Sequence, residues 1–269
     1  MNQNTVKNEI IISGIGLHSG KAVSLKIKPS SVGTGIVFIR IDLPGQPKIQ
    51  ARISNVTSTI RGTNLGEVNT VEHLLSALYA FNITNAEIEL DSPEPPVLDG
   101  SSKAFCDLIR SAGTVCQGSA LPCITVKKPI IIQDKDRSII ALPSNRFIIS
   151  FMIDYCVCFI GCQYFRFSFY SKGYSKEIAP ARTYGFMEEL SMLKEKGLAL
   201  GATRENAIVI DKDKYLTKLR FHDELVRHKI LDLIGDLSLL NSQIKAHIIC
   251  IRSGHDLNFA LAKNLKEVG

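Results

Sequence analysis

From Phe221 to Leu240 the chain reads as one long helix with a conflict written into it. Leu225, Val226, Ile230, Leu233, Ile234 and Leu237 occupy much of its circumference, the pattern of a helix packed into an interior. His228, Asp232 and Asp236 nevertheless recur at every fourth position, so they form one polar stripe along it. A polar stripe inside apolar surroundings is costly unless something pairs with it. A divalent metal would be such a partner. The same spacing also occurs on ordinary solvated helices, so the stripe alone leaves both readings open.

A hydrolytic zinc takes three protein ligands and keeps a fourth position for water. His228 and Asp232 with His73 would complete such a set, provided that the helix carrying His73 meets the long one. Glu72, beside His73, is a candidate base for the water proton. His255, in the loop-like segment Ser253–Asp256, could stabilise an oxyanion or protonate a leaving amine. Asp236 could orient His255 by a hydrogen bond, and Lys229 is a fixed cation beside His228. Each residue also has an ordinary explanation. Glu72 suits the first turn of any helix, Lys229 suits a solvated helix, and His255 suits a loop.

The rest of the chain is read as α+β, in two similar halves, each with strands first and helices after. In residues 1–120, strands are expected at Ile10–Ile12, Val23–Ile27, Gly35–Ile39 and Ala86–Leu90. Helices are expected at Val71–Phe81, with Thr70 as N-cap, and at Ser102–Gly113. Residues 114–123 look like a linker. In residues 121–269, strands are expected at Ile124–Val126, Ile130–Gln133, Ser138–Leu142 and Phe147–Ile153. A further helix is expected from Phe186 to Lys196, ending at Gly197.

Composition excludes several classes. Hydrophobic residues make up 45% and charged residues 22% of the 269, a globular balance. The net charge of +6 is a mild bias, with no Lys/Arg run interleaved with aromatics and no Trp, so nucleic acid is not an expected partner. It would favour an anionic small molecule, and transient contact with the inner membrane surface is expected. Residues 1–9 lack the order of a signal peptide, and no apolar run reaches the ~18 residues of a membrane span. A cytoplasmic monomer is the expectation. Cys156, Cys158 and Cys162 cluster without CxxC spacing, and free thiols on an apolar strand are the reading preferred to a metal site.

Several long motifs resemble one family. They are Gly14-Ile15-Gly16-Leu17-His18-Ser19-Gly20, Thr70 to Leu78 around Glu72-His73, Ala181-Arg182-Thr183-Tyr184-Gly185-Phe186-Met187, Phe221 to Leu237 and Ser253-Gly254-His255-Asp256-Leu257-Asn258. In this order, over about residues 10–260, they resemble the zinc-dependent UDP-3-O-acyl-N-acetylglucosamine deacetylases of lipid A biosynthesis. The resemblance implies two similar domains, each a small sheet layered with helices, with the active site between them. It implies zinc, or Fe(II) as the alternative, on His73, His228 and Asp232. Glu72 would be the general base and His255 the cationic acid or electrostatic partner. The Thr183 hydroxyl would help to hold the oxyanion, and Lys229 and Asp236 would complete the polar site.

An insert at about residues 185–211 would form an apolar passage for the substrate's acyl chain. Phe186, Met187, Leu193, Leu198, Leu200, Ala207 and Val209 are candidate lining residues, and Arg252 and Gly254 candidates near the UDP diphosphate. The chain departs from the family where Asp-Phe-Asn-His-Pro is expected, having Asp154-Tyr155-Cys156-Val157-Cys158 instead. Two rivals stand beside this reading. One is an HD-type phosphohydrolase using His222-Asp223. The other is a catalytically altered relative that only binds metal or a nucleotide sugar.

Overall fold

The computed structural model describes residues 1–155 and 159–268. The first half runs β1 (Asn2–Val6), β2 (Ile10–Ile15), β3 (Ala22–Pro29), β4 (Ile36–Arg40), β5 (Lys48–Gln50), β6 (Val56–Ser58), β7 (Asn64–Leu65), α1 (Glu72–Ala80), β8 (Ala86–Leu90), α2 (Lys103–Ala112) and β9 (Thr114–Ala120). Its main sheet has the order β2-β3-β8-β4-β5, antiparallel except between β4 and β8. Alternation decides its faces. Val23, Leu25 and Ile27 of β3 point into the core, while Ser24, Lys26 and Lys28 face outward.

The second half runs β10 (Cys123–Thr125), β11 (Ile130–Asp134), β12 (Arg137–Pro143), β13 (Phe147–Asp154), β14 (Cys162–Ser168), α3 (Ser171–Gly173), β15 (Tyr184–Phe186), α4 (Leu190–Glu195), β16 (Ile208–Asp211), β17 (Lys214–Tyr215), α5 (Glu224–Ser238), β18 (Gln243–Ile251) and α6 (His255–Val268). Its six-stranded sheet has the order β11-β12-β18-β13-β14, with β10 alongside the start of β18. A separate small sheet, β15-β16-β17, frames α4.

The helices α1 and α5 pack against each other, and the apolar core is continuous from one half to the other. Every residue of α1 except Tyr79 is buried, so it is a core helix rather than an amphipathic one. Leu225, Val226, Ile230, Leu231, Leu233, Ile234 and Leu237 of α5 are fully buried. Each contributes about 1.5–3 kcal/mol relative to exposure. Gly235 sets the crossing distance, because a Cβ there would fall 2.2 Å from the backbone oxygen of Glu72. Ser76 fastens the crossing by donating its hydroxyl to the Leu231 carbonyl at 2.8 Å.

Some sequence expectations shift. The apparent linker is strand for Thr114–Ala120, which pairs antiparallel with β1 and so belongs to the first half. Thr70 does not cap α1. It has φ +54°, and its hydroxyl donates to Glu94 at 2.8 Å. The helix expected from Phe186 opens one residue later, with a 3-10 turn at Met187–Glu189 that runs into α4, because Phe186 ends β15 and pairs with Ile210 of β16. The loop expected at His255 is the first turn of α6. Among the described residues no helix is long and apolar enough to cross a membrane.

Candidate metal centre and its cavity

The sequence puts Glu72 and His73 at the first turn of α1, and His228 and Asp232 one turn apart on α5. The packing of these helices brings the four together. His228 Nε2 lies 3.3 Å and His73 Nε2 3.7 Å from Asp232 Oδ1. The imidazoles meet edge to face with centroids 5.0 Å apart. His228 Nδ1 lies 3.1 Å from the Ala181 carbonyl, which requires the proton on Nδ1 and leaves Nε2 as a lone pair facing Asp232. The Ala181 segment is itself held by a buried ion pair, Arg182 Nε to Glu224 Oε1 at 2.8 Å.

Asp232 states the need for a cation most directly. Its Oδ2 accepts from Lys229 Nζ at 3.0 Å, while Oδ1 is buried with no hydrogen-bond partner among the described residues. A buried unpaired carboxylate oxygen costs several kcal/mol in order of magnitude. Two neutral histidine nitrogens face it. Burial, and then the neighbouring His228, push the His73 imidazole down to about 3. Burial also lowers His228, against the pull of Asp232. Burial opposes ionisation of Asp232, yet His228, Lys229 and His255 hold its carboxyl below the usual range. Two neutral imidazoles and one carboxylate, with ligand atoms within 4.8 Å of one another, could together hold a divalent metal ion.

Glu72, Asp232 and His255 form a second close group, in which Glu72 Oε1 and Asp232 Oδ2 face His255 Nε2 while the other atoms of Glu72 and His255 are held from behind. Glu72 Oε2 accepts the Thr63 N–H at 2.9 Å, and His255 Nδ1 donates to Asp236 Oδ2 at 2.8 Å. Asp236 is braced by the Thr63 hydroxyl at 2.5 Å and by Asn258 Nδ2 at 2.8 Å. Burial disfavours the His255 cation, but Asp236, Glu72 and Asp232 outweigh it and raise the imidazole to about 9. His255 Nε2 then points its proton toward Glu72 Oε1 and Asp232 Oδ2, each 3.9 Å away. Burial, with Asp232 and Asp236 nearby, raises Glu72 to about 7.

A family model described as UDP-3-O-acyl N-acetylglycosamine deacetylase matches residues 3–267. The chain belongs to this deacetylase family. It is 46% identical over 264 residues to the UDP-3-O-acyl-N-acetylglucosamine deacetylase of Saccharophagus degradans, covering 95% of this chain and 87% of the relative. The Chlamydia muridarum protein of that name is 43% identical over 272 residues, covering 98% of this chain and 95% of its own. That of Citrifermentans bemidjiense is 42% identical over 269 residues, covering 98% and 88%.

In this family member the centre opens into a cavity of about 660 Å³, lined by residues of both halves and by much of the stretch 183–209. Glu72, His73, Thr183, Lys229 and His255 line it on the polar side. Thr183 is fixed by its N–H to the Gly100 carbonyl at 2.8 Å. Gly100 has φ +81°, and a Cβ there would overlap the Asn206 carbonyl at 1.8 Å. Phe186, Met187, Leu193, Ala207 and Val209 line the apolar side, and Gly254 lies at the polar rim. Asp236 stands behind His255 rather than in the wall.

Three expected lining or binding residues lie elsewhere. Leu198 is not in the cavity wall. Leu200 is 50% exposed and turns against Gly20, its N–H bound to the His18 carbonyl at 3.1 Å. Arg252 pairs with Asp136 at 2.8 Å and is not in the cavity wall. The arginines that do line it are Arg61, Arg137 and Arg204, which no motif marked. Thr63 was also unmarked, being one polar residue in a polar stretch. His222, the residue on which the phosphohydrolase alternative rested, has a 91% exposed side chain outside the site. Cys162 is exposed and free, while the substituted positions Cys156 and Cys158 lie outside the described residues.

Proposed function

We propose that this chain removes the acetyl group from UDP-3-O-acyl-N-acetylglucosamine, an early committed step in making lipid A, using zinc held by His73, His228 and Asp232. The observation that carries this reading is the unpartnered Asp232 Oδ1 facing two neutral histidines, with Glu72 and a cationic His255 beside it. Iron(II) would satisfy the same donors. When bound, the metal supplies Lewis acidity and lowers the pKa of a coordinated water toward ~7.

The chain's own residues then divide the proton work. Glu72 takes a proton from the attacking water as its oxygen bonds to the amide carbon. Thr63 N–H orients that carboxylate. The developing oxyanion is met by the Thr183 hydroxyl and the Lys229 ammonium, both in the cavity wall. His255, kept protonated by Asp236, gives its proton to the departing nitrogen as the C–N bond breaks. Acetate and the free glucosamine amine result. The acyl chain would lie along Phe186, Met187, Leu193, Ala207 and Val209. We place the boundary of the two halves near residue 120, and infer a cytoplasmic monomer that touches the inner membrane surface transiently.

Acetate release from this substrate tests the reading directly. The zinc-loaded protein releases acetate, a chelator abolishes release, and Glu72→Gln keeps the metal while losing about 10²–10⁴ in rate. Release of inorganic phosphate instead of acetate, or substrate binding without turnover, would overturn it.

A further inference from the structure

A second cavity, of about 470 Å³, lies at the other end of the α1–α5 pair. Leu75, Leu78, Tyr79, Phe147, Phe169 and Ile244 contribute its apolar wall. Tyr79, Phe147 and Phe169 pack on one another at centroid distances of 5.3–6.1 Å. Tyr79 lies about 9 Å along α1 from His73, and none of the residues of the metal centre lines this space. The volume falls within the range of small-molecule sites, roughly 300–1,000 Å³.

The mouth is cationic. Arg146 and Lys245 line it, and both are exposed. They sit side by side, because Phe147 and Ala246 are parallel partners and the Ala246 N–H donates to the Arg146 carbonyl at 3.1 Å. Among the described residues neither has an acidic side chain within ion-pair distance. On the outward face of the first sheet, Lys26, Lys28 and Lys48 are each paired, with Glu9, Glu89 and Glu87. Adjacent like charges on neighbouring strands are unfavourable unless an anion sits between them. Gln243, also in the wall, carries a buried Nε2 without an acceptor among the described residues.

We propose that this cavity binds an amphiphile with one alkyl chain and an anionic head. The chain would lie against Leu78, Tyr79, Phe147 and Phe169, with the carboxylate or phosphate head between Arg146 and Lys245. This is a site apart from the catalytic cavity, and it does not depend on the reaction assigned there.

The absence of tryptophan from the chain allows a local test. Phe169→Trp places the only indole in this cavity, and a separate Leu193→Trp variant places it in the catalytic cavity. Each is titrated below the micelle threshold with dodecanoate brominated along its chain, and with brominated dodecyl phosphate. A brominated alkyl chain with an uncharged maltoside head serves as the control. Saturable quenching of the Phe169→Trp indole is expected with both anionic probes. The double reversal Arg146→Glu, Lys245→Glu is expected to weaken it at least tenfold while leaving the Leu193→Trp titration unchanged. The proposal fails if the Phe169→Trp indole shows no saturable quenching. It fails equally if the maltoside binds as well as the anions, or if charge reversal has no effect. Which anionic probe binds more tightly identifies the head group as carboxylate or phosphate.

Discussion

Replacing Gly235 by alanine separates two opposed effects by their sign. In an isolated helix the change is favourable by about 0.8–1 kcal/mol, because glycine has more conformational freedom to lose. Here the new Cβ would stand 2.2 Å from the Glu72 backbone oxygen, and such contacts need at least 3.0 Å. The helix α1 must therefore withdraw by about 0.8 Å, and the obstacle is backbone rather than a movable side-chain tip. Overpacking of this kind costs about 1–3 kcal/mol, leaving a net loss of up to about 2 kcal/mol and a fall in Tm of up to roughly 8 °C. The same withdrawal carries Glu72 and His73 away from Asp232. A displacement near ~1 Å at reacting groups can cost about 10²-fold in rate. Thermal unfolding, zinc titration and acetate release on Gly235→Ala should all move downward together. A variant as stable as the parent, with unchanged zinc affinity, would refute the claim that this glycine sets the spacing of the metal ligands.

Other perturbations follow from the same geometry. In the metal-free protein the His255 imidazole, raised to about 9, should titrate there by NMR. In Asp236→Asn it should titrate well below that, since the carboxylate raises it while burial lowers it. The sign for stability follows. A histidine raised from ~6.5 contributes stability that is fully present below that pH and lost as pH rises through about 9. The stability gap between parent and Asp236→Asn should therefore narrow over that window in urea titrations. Zinc at 1,000 times its Kd should stabilise the fold by about 4 kcal/mol, with no such gain in Asp232→Ala, measured by denaturant midpoint. Arg182→Met should lose about 3–5 kcal/mol by stranding the buried Glu224 carboxylate. It should also weaken zinc binding, because the Ala181 carbonyl that orients His228 is carried on that segment.

The chemistry was legible in the sequence wherever it was local. The four-residue spacing of His228, Asp232 and Asp236 puts them on one stripe of an otherwise apolar helix, and the structure shows that stripe buried. The Glu72-His73 pair lies in a helix apolar on all sides. Which of these side chains share a face follows from helical periodicity, and the strand at Val23–Ile27 follows from clean alternation. Elements without such a signal were missed or shifted. The strand Thr114–Ala120 is polar and exposed, and only pairing with β1 makes it a strand. The helix α6 opens at His255, where a loop is expected although Ser253 and Asp256 have the spacing of a helix start, and Arg252, expected near the diphosphate, pairs with Asp136. What only the tertiary structure decided is which groups meet. Residues 72–73 lie about 155 positions from 228–232, and their approach depends on Gly235 and Ser76 at one helix crossing. Thr63, Arg61 and Arg204 join the site through loops whose paths are set by long-range contacts. Spacing along a helix fixes which side chains share a face. The distance between two helices is set by the smallest residue at their crossing, and that is a property of the packed pair.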